Sequence, residues 1–74
     1  MKITRVKDTE IRRVWKDDNV YAIIGRVDDL AKRNIIFSDN VKDNENKWLS
    51  IERSGNKVTE FETLERAKEY YINL

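Results

Sequence analysis

The chain has 74 residues, 15 of them basic and 14 acidic, for a formal net charge of +1, and it contains neither histidine nor cysteine. At this length we expect one domain spanning residues 1–74. The missing residue types exclude disulfides, zinc sites built on thiolate or imidazole, and nucleophiles activated by histidine. We therefore expect a protein that is not an enzyme, with no catalytic residues, no metal ligands and no cofactor.

The opening residues, Met1 to Val6, show no apolar run of the kind found in a secretory signal peptide. The longest apolar run of the chain, Val20-Tyr21-Ala22-Ile23-Ile24, has the length of a strand. It is far short of the roughly 18 residues that a membrane span requires. We therefore expect a cytoplasmic protein without membrane contact.

Short strand-like runs separated by turn residues fill the first half of the chain. They predict strands over residues 3–7, 11–16 and 20–26, with Asp17-Asp18-Asn19 connecting the second and third as a hairpin. Residues 28–32 are expected to form one helical turn or a loop, and residues 33–38 a further strand centred on Ile35-Ile36-Phe37. Residues 38–47 hold six Asp, Asn or Glu residues and no Gly or Pro, which predicts a long connection.

The C-terminal part of the chain predicts a β-hairpin followed by a helix. Strands over residues 48–53 and 57–61 flank a turn at Ser54-Gly55-Asn56, and Thr63 is expected to cap the helix. An apolar stripe along that helix would pack on the sheet, and it consists of Leu64, Ala67, Tyr71 and Leu74. The predicted fold class is α+β, an antiparallel sheet of about four to five short strands with one C-terminal helix packed on one face. The other face would be left uncovered as a surface for a partner.

The register of the C-terminal hairpin decides whether Trp48 is exposed. A three-residue loop at Ser54-Gly55-Asn56 pairs Leu49 with Phe61 beneath the helix and turns Trp48 to the opposite face with Val58. A two-residue loop would bring Phe61 to the side of Trp48, because a slip of one residue exchanges the faces. We expect the first register, and hence an exposed Trp48, because it places more apolar side chains under the helix.

The first hairpin carries the same ambiguity. A three-residue loop groups Arg13 and Trp15 with Ile11, Tyr21 and Ile23, whereas a two-residue loop groups them with Ala22, Ile24 and Arg26. The second grouping sets an aromatic ring between two arginines, which suits base stacking or phosphate contact. A domain this small also needs its largest side chains inside, so the core is the favoured place for Trp15.

Charge is unevenly distributed along the chain. Residues 1–16 carry a local net charge of +4, and the remaining residues carry −3. A basic edge on a mildly acidic body could meet nucleic acid or an acidic protein patch, although Lys and Arg are also common on solvated strands. The acidic clusters lack the spacing and the glycine of an EF-hand, and Asp and Asn are frequent in turns, so no metal ligands are expected from them.

One family resemblance is carried by the C-terminal third. Trp48-Leu49-Ser50-Ile51, the Gly55 turn, the run Phe61-Glu62-Thr63-Leu64-Glu65-Arg66-Ala67 and Tyr70-Tyr71 resemble the hairpin-plus-helix part of an AP2-like domain. That resemblance implies a three-stranded antiparallel sheet packed on one helix, with the sheet entering the major groove of DNA. It would place Arg53 and Lys57 at the flanks of the groove-facing hairpin, with Trp48 beside them.

The leading expectation is a small non-enzymatic binding module, either a protein-binding regulator or inhibitor or a self-associating subunit such as a homodimer. The content of Ile, Lys, Asn and Asp is typical of AT-rich genomes and, by analogy, of phage or mobile-element proteins. The alternative is a nucleic-acid-binding protein that uses the sheet face and the basic N-terminal strands, and an enzyme built on Asp, Glu, Lys or Tyr ranks third. The residues expected to contact the partner are Trp48, Arg53, Lys57, Trp15, Arg12, Arg13 and Arg26.

Overall fold

The computed structural model describes residues 1–33, 35, 47–55 and 57–74. Within them, a five-stranded antiparallel sheet follows the order of the chain, each strand pairing with the next. The elements are β1 (Lys2–Arg5), β2 (Arg12–Lys16), β3 (Asn19–Arg26), α1 (Val27–Lys32), β4 (Trp48–Glu52), β5 (Lys57–Phe61) and α2 (Leu64–Ile72). The predicted antiparallel sheet with a C-terminal helix is confirmed. The predicted strand over residues 33–38 and the connection over 38–47 lie largely outside the described residues.

The helix α2 packs on one face of the sheet and begins where the sequence predicts. Thr63 caps it, because the Thr63 hydroxyl accepts the Arg66 backbone N–H over 3.2 Å. Ala67 and Tyr71 are fully buried, and they join a core cluster with Val14, Ala22, Ile24 and Trp48. The prediction that Leu74 completes the apolar stripe is wrong: α2 ends at Ile72, and Leu74 lies beyond it with 64% of its surface exposed.

The short helix α1 covers part of the opposite face of the sheet, which the sequence predicts to be uncovered. Val27 and Leu30 of α1 are buried in a second apolar cluster with Ile11 and Leu49. Gly25 permits this close packing, since a Cβ atom there would lie 2.9 Å from Leu30 Cδ2 and 3.2 Å from Ile11 Cγ1. The prediction of one uncovered face is therefore wrong for this part of the sheet.

The β4–β5 connection corrects the predicted position of Trp48. Glu52 pairs directly with Lys57, so four residues join the strands, and Trp48 pairs with Phe61. Relative to a three-residue loop, this shift of one residue exchanges the two faces of β4. Trp48 therefore faces α2 with only 9% of its surface exposed, while Leu49 faces α1.

The β2–β3 hairpin combines features of both sequence alternatives. Lys16 pairs with Asn19 across the two residues Asp17-Asp18, and Asp17 adopts the left-handed backbone with φ of 58°. A bulge at Tyr21 of β3, opposite Val14 and Trp15, then shifts the register, so that Val14 pairs with Ala22 and Trp15 with Val20. As a result, Arg13 and Trp15 lie on the face away from α2, whereas Arg26 lies on the α2 face beside Trp48.

Candidate functional site

A buried polar cluster lies between α2 and the sheet. The Tyr71 hydroxyl donates to Ser50 Oγ over 2.7 Å and lies 3.5 Å from Glu52 Oε2, and the Tyr21 hydroxyl donates to Glu52 Oε1 over 3.0 Å. Burial raises the pKa of Tyr71 to about 12, and the hydrogen bond to Glu52 raises the pKa of Tyr21. Both phenols are thus protonated donors at neutral pH. Because Ser50, Glu52 and Tyr71 are buried, the hydrogen bonds of the cluster satisfy polar groups inside the fold.

Sequence reasoning missed this cluster because it depends on the β4 register. Ser50 and Glu52 alternate with Leu49 and Ile51, so a strand pattern alone assigns the apolar pair to the helix side. The available signal was the tyrosine at position 71, since a buried phenol needs a hydrogen-bond partner on the facing strand.

The seven residues predicted to contact a partner lie in four separate places. Arg26 pairs across the sheet with Trp48, and its guanidinium carbon lies 5.3 Å from the centre of the Trp48 ring, a cation–π contact that covers the buried indole. Arg13 and Trp15 lie on the opposite face, where Trp15 Nε1 donates to Thr4 Oγ1 over 2.8 Å. The exposed Arg53 and Lys57 lie at the β4–β5 connection, and Arg12 lies beside α2.

Arg12 also lines a concave surface that carries three cationic side chains. We call it the cationic groove, a space of about 440 Å³ between β1, β2 and α2 that is lined by Met1, Ile3, Arg5, Arg12, Lys68 and Ile72. The strands supply Ile3, Arg5 and Arg12, and α2 supplies Lys68 and Ile72. The groove therefore exists only once α2 has packed on the sheet.

The β1–β2 loop holds the two arginines of the groove in place. Arg5 Nε donates to the Thr9 carbonyl over 2.6 Å, and Arg12 Nη1 donates to the Glu10 carbonyl over 2.5 Å. Both guanidinium groups also approach the Glu10 carboxylate, at 3.4 Å from Arg5 and 3.5 Å from Arg12. The loop itself is closed by the Thr9 hydroxyl, which donates to the Val6 carbonyl over 2.8 Å and accepts the Ile11 backbone N–H over 3.0 Å.

The charges of the groove are only partly neutralised. Three cationic side chains line the groove, and among the described residues the Glu10 carboxylate pairs with two of them, Arg5 and Arg12, which leaves an excess of two positive charges. In the part of the chain that the structure describes, Lys68 forms no ion pair. Arg12 lines the groove with only 13% of its side chain exposed, so solvent screens its charge weakly. This arrangement favours an incoming anion.

Apolar side chains form the remaining walls of the groove. Ile3 packs against the core cluster beneath α2, and Ile72 has 59% of its surface exposed. The groove therefore combines positive charge with apolar surface. A second groove, between α2 and β5, is lined by Phe61, Arg66, Glu69, Tyr70, Asn73 and Leu74, and there the charges of Arg66 and Glu69 balance.

Comparison with models of protein families, with curated protein sequences and with solved structures yields no match. The AP2-like resemblance of the C-terminal third is thus neither supported nor overturned. Neither α1 nor α2, the helices of the described residues, is long and apolar enough to cross a membrane. Within those residues, no group of three or more acidic side chains is placed to hold a metal ion.

Proposed function

We propose that this protein is a non-enzymatic module that binds an acidic segment of another protein in the cationic groove. The proposal rests on one observation: Arg5, Arg12 and Lys68 surround a groove with apolar walls, and Glu10 is the one acidic residue of the described part of the chain that forms an ion pair with any of them. A carboxylate entering the groove would make charge-assisted hydrogen bonds, which are shorter and stronger than neutral ones. A role as regulator or inhibitor of the bound protein is the simplest use of a module without a catalytic centre.

The composition of the groove favours a protein over a nucleic acid. Non-specific binding of single strands relies on aromatic rings on which bases stack, and none of the described residues that line the cationic groove is aromatic. Trp15 lies on the opposite face of the sheet, with its indole N–H already bonded to Thr4. The overall charge of +1 is also low for a domain that neutralises several phosphates.

Charge reversal in the groove tests the proposal against a matched control. The groove variant carries Arg5→Glu and Lys68→Glu, which leaves the half-buried Arg12 in place. The control variant carries Arg53→Glu and Lys57→Glu, two exposed cations at the β4–β5 connection. Both variants change the net charge equally, so any difference between them reports position and not total charge.

The three proteins are immobilised and exposed to nuclease-treated lysate of the native host, and the retained proteins are compared by mass spectrometry. We expect one acidic protein to be retained by the wild type and the control variant and lost from the groove variant. Equal retention by all three proteins would overturn the proposal. Binding of labelled single-stranded DNA that weakens in the groove variant, with no protein retained, would replace it with nucleic-acid binding.

A further inference from the structure

The strand β1 forms one edge of the sheet. Among the described residues, no strand pairs with its outer side. The Val6 N–H donates to the Ile11 carbonyl over 2.9 Å, and β1 pairs with β2 in the matching register, Thr4 with Arg13. Because backbone groups alternate in direction along an antiparallel strand, those of Ile3 and Arg5 point outward. The side chains of the same two residues line the cationic groove.

We propose that the partner segment binds as an added strand beside β1, with a carboxylate opposite Arg5 and an apolar side chain opposite Ile3. This inference rests on the proposed function and names the binding mode of the same site. Strand addition supplies affinity through main-chain hydrogen bonds and specificity through alternate side chains. Here the outward backbone groups and the groove-lining side chains belong to the same two residues, so one extended segment satisfies both.

Charge decides which kind of strand can bind at this edge. Pairing β1 with β1 of a second copy would bring Arg5 and Lys68 of both copies to one face and Lys2 of both copies to the other, and like charges across strands are destabilising. An acidic segment would instead attract these cationic side chains, and the attraction would stabilise the added strand. The other edge strand, β5, shows no such preference, because the Lys47 ammonium and the Glu60 carboxylate lie 3.4 Å apart and the adjoining groove is balanced in charge.

The register of β1 specifies a pattern for the segment. Running antiparallel to β1, its successive residues face Arg5, Thr4, Ile3 and Lys2. Complementary residues in that order are acidic, polar, apolar and acidic. The acidic and apolar residues that face Arg5 and Ile3 point into the cationic groove, and the other two point to the opposite face of the sheet.

A terminally blocked peptide with the core Glu-Thr-Val-Glu provides the probe. It is titrated into the full-length, isotope-labelled protein, and amide signals and their hydrogen-exchange rates are followed by NMR. We expect the amides of Ile3 and Arg5 to exchange about tenfold more slowly when the peptide is bound, as new backbone hydrogen bonds would require. A peptide with the core Lys-Thr-Val-Lys is expected not to bind.

Methylation of peptide nitrogens separates strand pairing from charge attraction. The N–H groups of the valine and the first glutamate face β1, whereas that of the threonine faces away. Methylation at the valine is expected to weaken binding about tenfold, and methylation at the threonine to leave it within about twofold.

Three results would overturn the binding mode: no binding of the acidic peptide, equal effects of the two methylations, or binding without slower exchange at Ile3 and Arg5. In the last two cases, loss of binding in the Arg5→Glu and Lys68→Glu variant would still support the proposed function. If the acidic peptide does not bind at all, the proposed function would still be supported by the lysate experiment, provided that the groove variant alone loses the captured protein.

Discussion

The hydroxyl of Tyr71 donates a hydrogen bond to Ser50 Oγ over 2.7 Å, and this contact joins α2 to the middle of β4. Both residues are fully buried. The same hydroxyl lies 3.5 Å from the Glu52 carboxylate, whose other oxygen accepts from Tyr21. Because α2 forms one wall of the cationic groove, the position of this tyrosine also affects the candidate binding site.

Removing the Tyr71 hydroxyl is expected to destabilise the fold. The substitution Tyr71→Phe leaves Ser50 and Glu52 buried with one hydrogen bond fewer, which costs about 1–3 kcal/mol. Urea denaturation measures the change. Tyr70→Phe is the control, because Tyr70 is 37% exposed and removing its hydroxyl should change the free energy of unfolding by about 0.5 kcal/mol or less. Equal effects of the two substitutions would contradict the role assigned to the buried hydroxyl.

Stability is expected to fall between pH 10 and pH 12. The pKa of Tyr71 is raised from 10.0 to about 12 by burial. Below pH 10 the phenol is protonated in both states and its contribution is complete; above pH 10 the unfolded chain ionises first, and the contribution is lost as the pH approaches the folded pKa. Two pH units correspond to about 3 kcal/mol. Urea titrations across this interval should show a steeper loss for the wild type than for Tyr71→Phe, and parallel curves would contradict the assignment.

A side chain at position 25 is expected to disturb the packing of α1. In Gly25→Ala the new Cβ would meet Leu30 Cδ2 at 2.9 Å, and such overpacking costs about 1–3 kcal/mol. Leu30→Ala makes room for it, so the double variant should be more stable than the sum of the two single losses predicts. Thermal or urea denaturation of the four proteins measures this coupling. Strictly additive losses would show that the contact does not limit the packing.

Loss of the Thr63 cap is expected to weaken α2. In Thr63→Ala the Arg66 N–H loses its acceptor at 3.2 Å, at a cost of about 1 kcal/mol. Thr63→Ser keeps the hydroxyl and should restore most of the stability. Far-ultraviolet circular dichroism during denaturation measures both variants, and a serine variant as unstable as the alanine variant would point to a cause other than capping.

The parts of the fold that the sequence predicts are those with local causes. Thr63 caps α2 because its hydroxyl reaches an N–H three residues ahead, and Ala67 and Tyr71 are buried because they share one helical face. The turn residues Asp17-Asp18 mark the first hairpin in the same way. In each case the deciding residues are neighbours in the chain.

The faces of the strands could not be predicted, because they depend on single-residue differences in loop length. Trp48 lies in the core because the β4–β5 connection has four residues and not the predicted three. In the first hairpin the bulge has the reverse effect, since it places Trp15 on the face away from α2. The sequence did not predict the cationic groove for a related reason. Only Arg12 of the cationic groove was among the predicted contact residues, since Lys68 joins it through the packing of α2 on the sheet.

The bulge in β3 also divides the first hairpin into two independent parts. Tyr21 is the unpaired extra residue, so the segment from Trp15 to Val20 keeps its own alternation of side chains. Its length could change by a pair of residues without moving a core side chain to the surface. A deletion of one residue between Ala22 and Gly25 would instead exchange the two faces of the sheet from that point onward. Tolerance to insertions and deletions in this domain therefore changes abruptly at Tyr21.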